Sequence, residues 1–567
     1  MSTTERETKM KRSIRIVAVM AVISLSLGLI YSEYKYPIWL KVIGFAVPFV
    51  LPPTEPTMDI AWDSGTDPLG RDTDNRPPNV VLILADDLGW NDITFNDGGV
   101  GGGTVPTPSI DSIAQQGVNF VNGYAANATC APSRAAILSG RYPTRFGFEF
   151  TPTPPGFMQL TRMGAESIGG SIRKPIVPDV DSEHIIPYED MGMPTSEVTI
   201  AELLSDHGYH NVHIGKWHVG LANGMGPLEQ GFHESLLMTG LLYGEEEDSS
   251  IVSSKQLFDP IDRFQWAIGR VGSSIDGGRT QFKPDRYLTD YYTDQAVEVI
   301  KSNKDRPFFL YLAHWAVHTP MQATKEDYEA LSHIKTHRER VYAAMVLSLE
   351  RSVRRVLQTL EDEGLAENTL VIFTSDNGGA PYIGLPEVNK PYRGWKLTFF
   401  EGGIHVPFFA KWPGRIPAGA TFTDPVHHFD LFATIAAAAG AHLPEDRTID
   451  GADLLPFVNG MRDGVPHRRL FWRSGASQSA LVDGWKLNVS DPPGRTWLFD
   501  LTNDPTEQND LSSENPEKVK VLLSELAKHN SEQLPSSWPA TGVSAVNIDK
   551  DLSQPDEPDD EYIRWSN

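Results

Sequence analysis

Cysteine is nearly absent: 567 residues contain one, Cys130. A single thiol cannot close an intrachain disulfide or build a cysteine-based zinc or iron–sulfur site. Positive charge is also in deficit, with 49 Lys and Arg against 74 Asp and Glu and a net charge of −25. That balance argues against nucleic acid as a partner, because binding phosphates needs a basic surface. Internal repeats are missing too. What remains is an ordinary globular composition, 40% apolar and 22% charged, in a chain long enough to bury a core without disulfides.

Arg6, Lys9, Lys11, Arg12 and Arg15 precede an uncharged run from Ile16 to Tyr31. That order marks a signal peptide or signal anchor. The run's 16 residues fall short of the roughly 20 of a membrane span. A second apolar run, Tyr36 to Leu51, comes next with Lys41 inside it. The basic flank predicts an exported body, periplasmic, extracellular or held at a membrane by this segment. A buried N-terminal helix is the competing reading. Composition divides the chain into a signal or anchor region (1–51), a Pro-, Asp- and Gly-rich linker (52–78), a main domain (79–414), a smaller subdomain (415–548) and a tail (549–567). The tail holds seven acids against two bases, which predicts a solvated, disordered segment. Glu245–Asp248 reads as a solvated loop.

From Asn79 onward, short apolar runs alternate with helical patterns. This is the signature of an α/β fold, a large mostly parallel sheet flanked by helices. Predicted strands are Val80–Leu84, Asn211–Ile214, Pro307–Leu312 and Leu370–Thr374; predicted helices are Val198–Leu204 and Tyr342–Leu360. After Gly414, hairpin-like pieces at Ser479–Val482, Gly484–Leu487 and Trp497–Asp500, then a helix Pro516–His529, predict a C-terminal α+β subdomain.

Open parallel sheets bind ligands beyond the carboxyl ends of their strands. Asp86 and Asp87 follow the first predicted strand, and Asp376 and Asn377 follow the fourth. Lys216 and His218 follow the second; His314 and His318 follow the third. Three carboxylates and an amide oxygen form a hard-oxygen set, suited to Ca²⁺ or Mg²⁺ rather than zinc. An Asp-Asp pair can also simply cap the next helix; the coincidence at four strand ends favours a site. Pro132 is well placed for the first turn of a helix running through Leu138. Cys130 then stands at a helix N-terminus, where the dipole favours negative charge, with Arg134 one turn inside. Burial as a small hydrophobe is the other fate of a free cysteine.

Cys130-Ala131-Pro132-Ser133-Arg134, with Leu138-Ser139-Gly140, resembles the C-x-P-S-R…L-[ST]-G signature of type I, formylglycine-dependent sulfatases of the alkaline phosphatase superfamily. Gly215-Lys216-Trp217-His218-Val219-Gly220 is similar to the family's G-K-W-H-x-G. Arg393–Lys396 and Glu401–Pro407 resemble its R-G-x-K…E-G-G-x-R-V-P block. Leu498–Leu501 with Asp504–Glu507 resembles L-Y-D-L…D-P-x-E. The resemblance covers Asn79 to Leu511. One departure is visible: His405 stands where the family usually has Arg, a position expected to buttress the Lys396 loop.

The resemblance implies an alkaline phosphatase-like fold and an arylsulfatase-like sulfuric ester hydrolase acting on a small-molecule or glycan sulfate ester. It implies that a formylglycine-generating enzyme oxidises Cys130 to an aldehyde, which hydrates to a diol. One hydroxyl would attack sulfur with Asp376 as base. A divalent cation, Ca²⁺ ahead of Mg²⁺, would be held by Asp86, Asp87, Asp376, Asn377 and the group at Cys130. Lys216 and Lys396 would hold the sulfonate oxygens and Arg134 would support the formylglycine. His318, with Lys396, would protonate the leaving oxygen. His218 would take the proton as the second hydroxyl expels sulfate. His314 is the weaker candidate, equally a satisfied histidine beside its strand. A phosphonate or phosphate ester hydrolase of the same superfamily is the alternative; those enzymes place His where Asn377 stands. Phe157, Met158, Leu160 and Met163 of the Phe150–Pro194 insertion, and Leu236–Tyr243, are expected at the pocket. Their apolar character leans toward an aryl or steroid-like leaving group, although core packing explains the same residues. Asn127-Ala128-Thr129 and Asn488-Val489-Ser490 are glycosylation sequons. Mass spectrometry of the peptide spanning Cys130 from active enzyme should show the mass shift of formylglycine; a wholly unmodified thiol in fully active protein would refute the conversion.

Overall fold

The computed structural model describes residues 35–45, 54–71, 75–154, 156–169, 174–178, 186–491 and 494–567. The apolar run Ile16–Tyr31 lies outside them. Among the described residues no helix is long and apolar enough to cross a membrane. Residues 35–45 are helical, and Tyr36 is buried, donating its hydroxyl to the Pro260 carbonyl at 2.6 Å.

Eleven of the described strands form one mixed, mostly parallel sheet. Its centre is five parallel strands, in spatial order Glu234–Met238, His210–Gly215, Phe308–Ala313, Asn79–Ala85 and Thr369–Ser375. Successive side chains of a strand point to opposite faces. Val81, Ile83 and Ala85 accordingly pack with the helices Leu288–Ser302 and His337–Asp362. Val80, Leu82 and Leu84 pack with the helices Cys130–Ser139 and Ile200–Ser205. Cover on both faces is why these strands are near-continuous apolar runs. The four strands predicted from those runs match the observed ones to within one residue at each end. Toward the C-terminus, Arg469–Ser474, Ser477–Val482, Trp485–Ser490 and Arg495–Asp500 form a four-stranded antiparallel sheet, against which the helix Pro516–Ser531 packs.

Two stretches differ from expectation. Residues 54–71 are not a free linker. Thr54–Glu55 pairs with Gln281–Phe282, Met58, Ile60 and Trp62 pack against the core, and Asp67 holds Arg71 at 2.8 Å. Apolar residues spaced among the prolines and glycines give this stretch something to bury. The acidic C-terminus also folds. Tyr562–Ser566 pairs antiparallel with Val543–Asn547, and Ile563 and Trp565 are buried. Its acids are matched: Asp549 and Glu561 each lie 2.6 Å from Arg393, while Glu557 and Asp560 lie 2.9 and 2.8 Å from Lys550. A local charge count cannot see Arg393, a partner distant in sequence. By contrast, Glu246, Glu247 and Asp248 are exposed, as expected of a solvated loop.

Trp565→Ala should lower the free energy of unfolding by about 3–5 kcal/mol, the usual range for emptying a buried aromatic site. Urea denaturation checks this, and an unchanged midpoint would mean that the C-terminus is detached.

Candidate functional site

Strand register builds the site. Ser375 pairs with Ala85, and Ala313 pairs with both Leu84 and Gly215. The four strand ends therefore finish level, and the residues just beyond them are delivered to one edge. Backbone bonds continue past the strands: Asp376 N–H donates to Ala85 O at 3.1 Å, and Lys216 N–H to Ala313 O at 2.9 Å. The helix Cys130–Ser139 supplies the fifth element, with its first residue 3% exposed. Cys130 Sγ lies 3.4 Å from Asp86 Oδ1, 3.7 Å from Asp87 Oδ1 and 3.1 Å from Lys396 Nζ.

The charges are buried but paired. Arg134 contacts Asp376 Oδ2 at 2.8 Å and Asp86 Oδ2 at 3.2 Å, and donates to Lys216 O at 2.9 Å. Burial opposes its charge, but Asp376 and Asp86 outweigh it and hold the guanidinium above its ordinary pKa. Lys216 Nζ lies 2.6 Å from Asp86 Oδ2. Lys396 Nζ donates to both Asp87 oxygens, at 2.6 and 2.8 Å. Burial works against Asp87 ionisation, yet Lys396, His318 and Lys216 pull its pKa below the carboxylate range. Asp376 goes the other way: burial and the neighbouring Asp86 raise it. Its Oδ1 accepts from Asp87 N–H at 3.3 Å.

Two histidines border the pocket. His318 donates Nδ1–H to Thr319 O at 2.6 Å, which leaves Nε2 toward Asp87 Oδ2 at 3.5 Å. Burial brings it down to about 3. His218 is pushed well below its ordinary value by burial and then by Lys216, and its Nδ1 has no partner among the described residues. Asp87, His218 and Leu397 all adopt positive φ, at 59°, 67° and 73°. Such strain in non-glycine residues concentrates at functional sites.

The donor set fits a metal ion. Ligand atoms of Asp86, Asp87, Cys130 and His318 lie within 4.8 Å of one another. Asn377 donates Nδ2 to Asp87 Oδ1 at 2.8 Å, while its Oδ1 is buried with no partner among the described residues. A buried acceptor without a donor costs free energy unless something else satisfies it. The geometry sorts two residues differently from the sequence pattern. His318 joins the close group of ligand atoms, whereas Asp376 turns one oxygen to Arg134.

Other expectations change. His314 is not at the pocket; it bonds Ser352 Oγ at 2.9 Å between core helices, and burial lowers it to about 3. Of the residues expected at the pocket, Met158, Leu236 and Leu237 are buried, the latter two in core clusters, while Phe157, Leu160 and Met163 are half-buried. Neither sequon is open in the folded chain: Asn127 is 2% and Asn488 3% exposed. Sequence reasoning missed Tyr382 and Trp315, and reached Tyr243 only as the end of an apolar run. Tyr382 donates its hydroxyl to Asp87 Oδ2 at 2.7 Å. Trp315 stacks on His318 at 4.0 Å and lies under Lys216 Nζ at 4.7 Å. Tyr243 places its hydroxyl 2.6 Å from Trp315 O and 2.8 Å from His318 O. The apolar run before Tyr243 gives no sign of its hydroxyl's partners; proximity of Trp315 to His314 and His318 in sequence is the one available signal.

Comparison with known proteins adds an independent line. The sulfatase family model matches residues 78–441. N-acetylgalactosamine-6-sulfatase of Mus musculus is 34% identical over 415 residues, 72% of this chain and 71% of that protein. Steryl-sulfatase of Homo sapiens is 28% identical over 556 residues, covering 81% of this chain and 88% of its own. The crystal structure of Ps i-CgsB in complex with k-i-k-neocarrahexaose matches with a TM-score of 0.66 at 30% identity, covering 82% of this chain and 95% of that one.

Tyr382→Phe removes one hydrogen bond to Asp87 and should weaken divalent-cation binding by about 10-fold, as losses around metal ligands do. Calorimetric titration of the purified protein with Ca²⁺ measures it; unchanged affinity would place the cation elsewhere.

Proposed function

The chain belongs to the sulfatase family, with its alkaline phosphatase-like α/β fold, and is a sulfuric ester hydrolase; we propose that its nucleophile is a formylglycine made from Cys130. The observation that carries this is the position of Cys130 Sγ, between Lys396 Nζ at 3.1 Å and the Asp86 and Asp87 carboxylates at 3.4 and 3.7 Å. Burial, then Asp376 and Asp86, push the thiol well above its ordinary pKa, so an unmodified Cys130 would be a poor nucleophile. Oxidation by a formylglycine-generating enzyme replaces it with a hydrated aldehyde.

Asp86, Asp87 and Asn377, with Asp376 and the oxygen at position 130, would hold a divalent cation, Ca²⁺ before Mg²⁺, which supplies charge neutralisation and hydroxyl activation. Asp376, whose proton affinity is raised, takes the proton of the attacking hydroxyl. Lys216 and Lys396, paired here with Asp86 and Asp87, would hold the sulfonate oxygens. Arg134 fixes Asp376 and Asp86 in place. Lys396, held protonated beside the neutral His318 ring, carries the proton to the leaving oxygen, and His318 is oriented through Thr319. His218, neutral with a free ring nitrogen, takes the proton when the second hydroxyl expels sulfate. A plain hydroxyl would stay trapped as a sulfate ester; the diol does not.

The substrate proposed is a glycan sulfate ester. Of the apolar residues that favoured a steroid-like group, Leu236 and Leu237 lie in the core. One similar protein is named for N-acetylgalactosamine, and one similar structure is a complex with a neocarrahexaose. The phosphonate or phosphate ester alternative is not favoured. The basic and apolar N-terminal segment supports export, with membrane attachment if that segment is retained.

Cys130→Ala should lose turnover by about 10³-fold or more while keeping the fold, since a missing nucleophile has no substitute. Cys130→Ser, if left as serine, should release at most one equivalent of alcohol and then stop, and chelation should lower the wild-type rate. A panel of sugar, steroid and aryl sulfates identifies the substrate class; a preference for steroid sulfates would overturn the glycan assignment.

A further inference from the structure

The departure at position 405 has a definite chemistry. His405 Nδ1 lies 2.7 Å from Glu401 Oε2, and its Nε2 lies 2.6 Å from the Val121 carbonyl. A carbonyl oxygen only accepts, so Nε2 carries a proton. Glu401 Oε1 accepts from Lys486 Nζ at 2.6 Å, and Oε2 accepts from the Tyr124 hydroxyl at 3.1 Å. Burial opposes ionisation of Glu401, but Lys486 and His405 bring it down to about 2. This carboxylate therefore also only accepts, and Nδ1 carries a proton as well. We propose that His405 is a buried imidazolium in the working enzyme, a positioning residue whose second proton holds the Lys396 segment.

The surroundings account for both halves. Tyr392 stacks on the ring at 4.2 Å, Trp90 meets it edge-on at 4.6 Å, and Tyr124 lies at 5.2 Å. Behind Glu401, Lys486 Nζ also contacts Glu507 Oε1 at 3.0 Å. Two carboxylates and two cations thus share a space in which each residue is at most 2% exposed. Burial raises Glu507 to about 7, so the cluster is sensitive to the loss of a cation. Deprotonating His405 would set a lone pair against an acceptor on one side and leave a buried carboxylate short of charge. Arginine has no such step, because it stays protonated.

The link to the catalytic residues runs through backbone. Glu401 N–H donates to Glu507 Oε2 at 2.6 Å. Gly403 O accepts from Gly378 N–H at 3.0 Å, and Lys396 N–H donates to Gly379 O at 3.0 Å. A Cβ on Gly378 would meet Gly402 O at 1.9 Å, so the turn Glu401–Ile404 lies flat on the segment after Asn377. Displacing this turn moves Lys396.

The test combines steady-state kinetics with nitrogen NMR of isotope-labelled histidine. With 4-nitrophenyl sulfate, His405→Arg should keep kcat within about threefold, a permanent charge standing in place of the imidazolium. His405→Gln should lower kcat by about tenfold or more with KM little changed, the split expected when a catalytic group is misplaced. Both ring nitrogens of His405 should be protonated at the pH of maximal activity. A kcat lost in a folded His405→Arg enzyme, an unchanged kcat in His405→Gln, or a single protonated nitrogen would each overturn the proposal. The spectrum needs no turnover and decides the matter if the variants fail to fold or the sulfatase chemistry is wrong.

Discussion

Three carboxylates delivered to one dry pocket repel each other, and the rest of the structure answers to that. Asp86, Asp87 and Asp376 are forced together by the in-register pairing of Asn79–Ala85 with Thr369–Ser375. Unit charges about 4 Å apart interact by about 4 kcal/mol at an effective dielectric of 20. Cations must therefore come from other elements: Arg134 from a helix, Lys216 from the next strand but one, Lys396 from a loop far along the chain. Each is buried only because an acid waits for it, and each acid is tolerable only because a cation arrives. The same pairing concentrates oxygen ligands and anion-binding groups in one place, which is what cleaving an anionic ester demands.

Much of this is legible in the residues themselves. Apolar runs mark the central strands because both faces are covered, and the polar residues after each run mark the edge where they meet. Cys130 and Pro132 announce the helix start. The illegible parts are those set by distant partners. Arg393 tames the acidic C-terminus from more than a hundred residues upstream, and Tyr382 reaches Asp87 through a turn with no periodic signal. His314 resembles a pocket residue by its position after a strand, but a strand end delivers only some of its side chains forward; this one turns back to Ser352.

The antiparallel C-terminal sheet is more than an appendage. Lys486 and Glu507 come from it or just after it, and they hold Glu401, which begins the turn packed behind Gly378. The proposed pocket is thus closed from behind by residues of the C-terminal sheet. A buried cluster of four ionisable groups fastens the two regions, and a buried ion cluster is costly to leave short of a member.

The burial of Cys130 has a consequence in time. Its side chain is 3% exposed, and every residue of its helix is buried. An enzyme that reads the sequence around that thiol needs it extended and reachable, so the proposed modification belongs to the interval before the helix docks. That interval is long for this chain. The cluster that closes the pocket waits for Lys486 and Glu507, and Arg393 waits for Asp549 and Glu561, all several hundred residues downstream of the thiol. The order of the sequence works as a clock: Cys130 emerges early, and the elements that seal it away emerge much later.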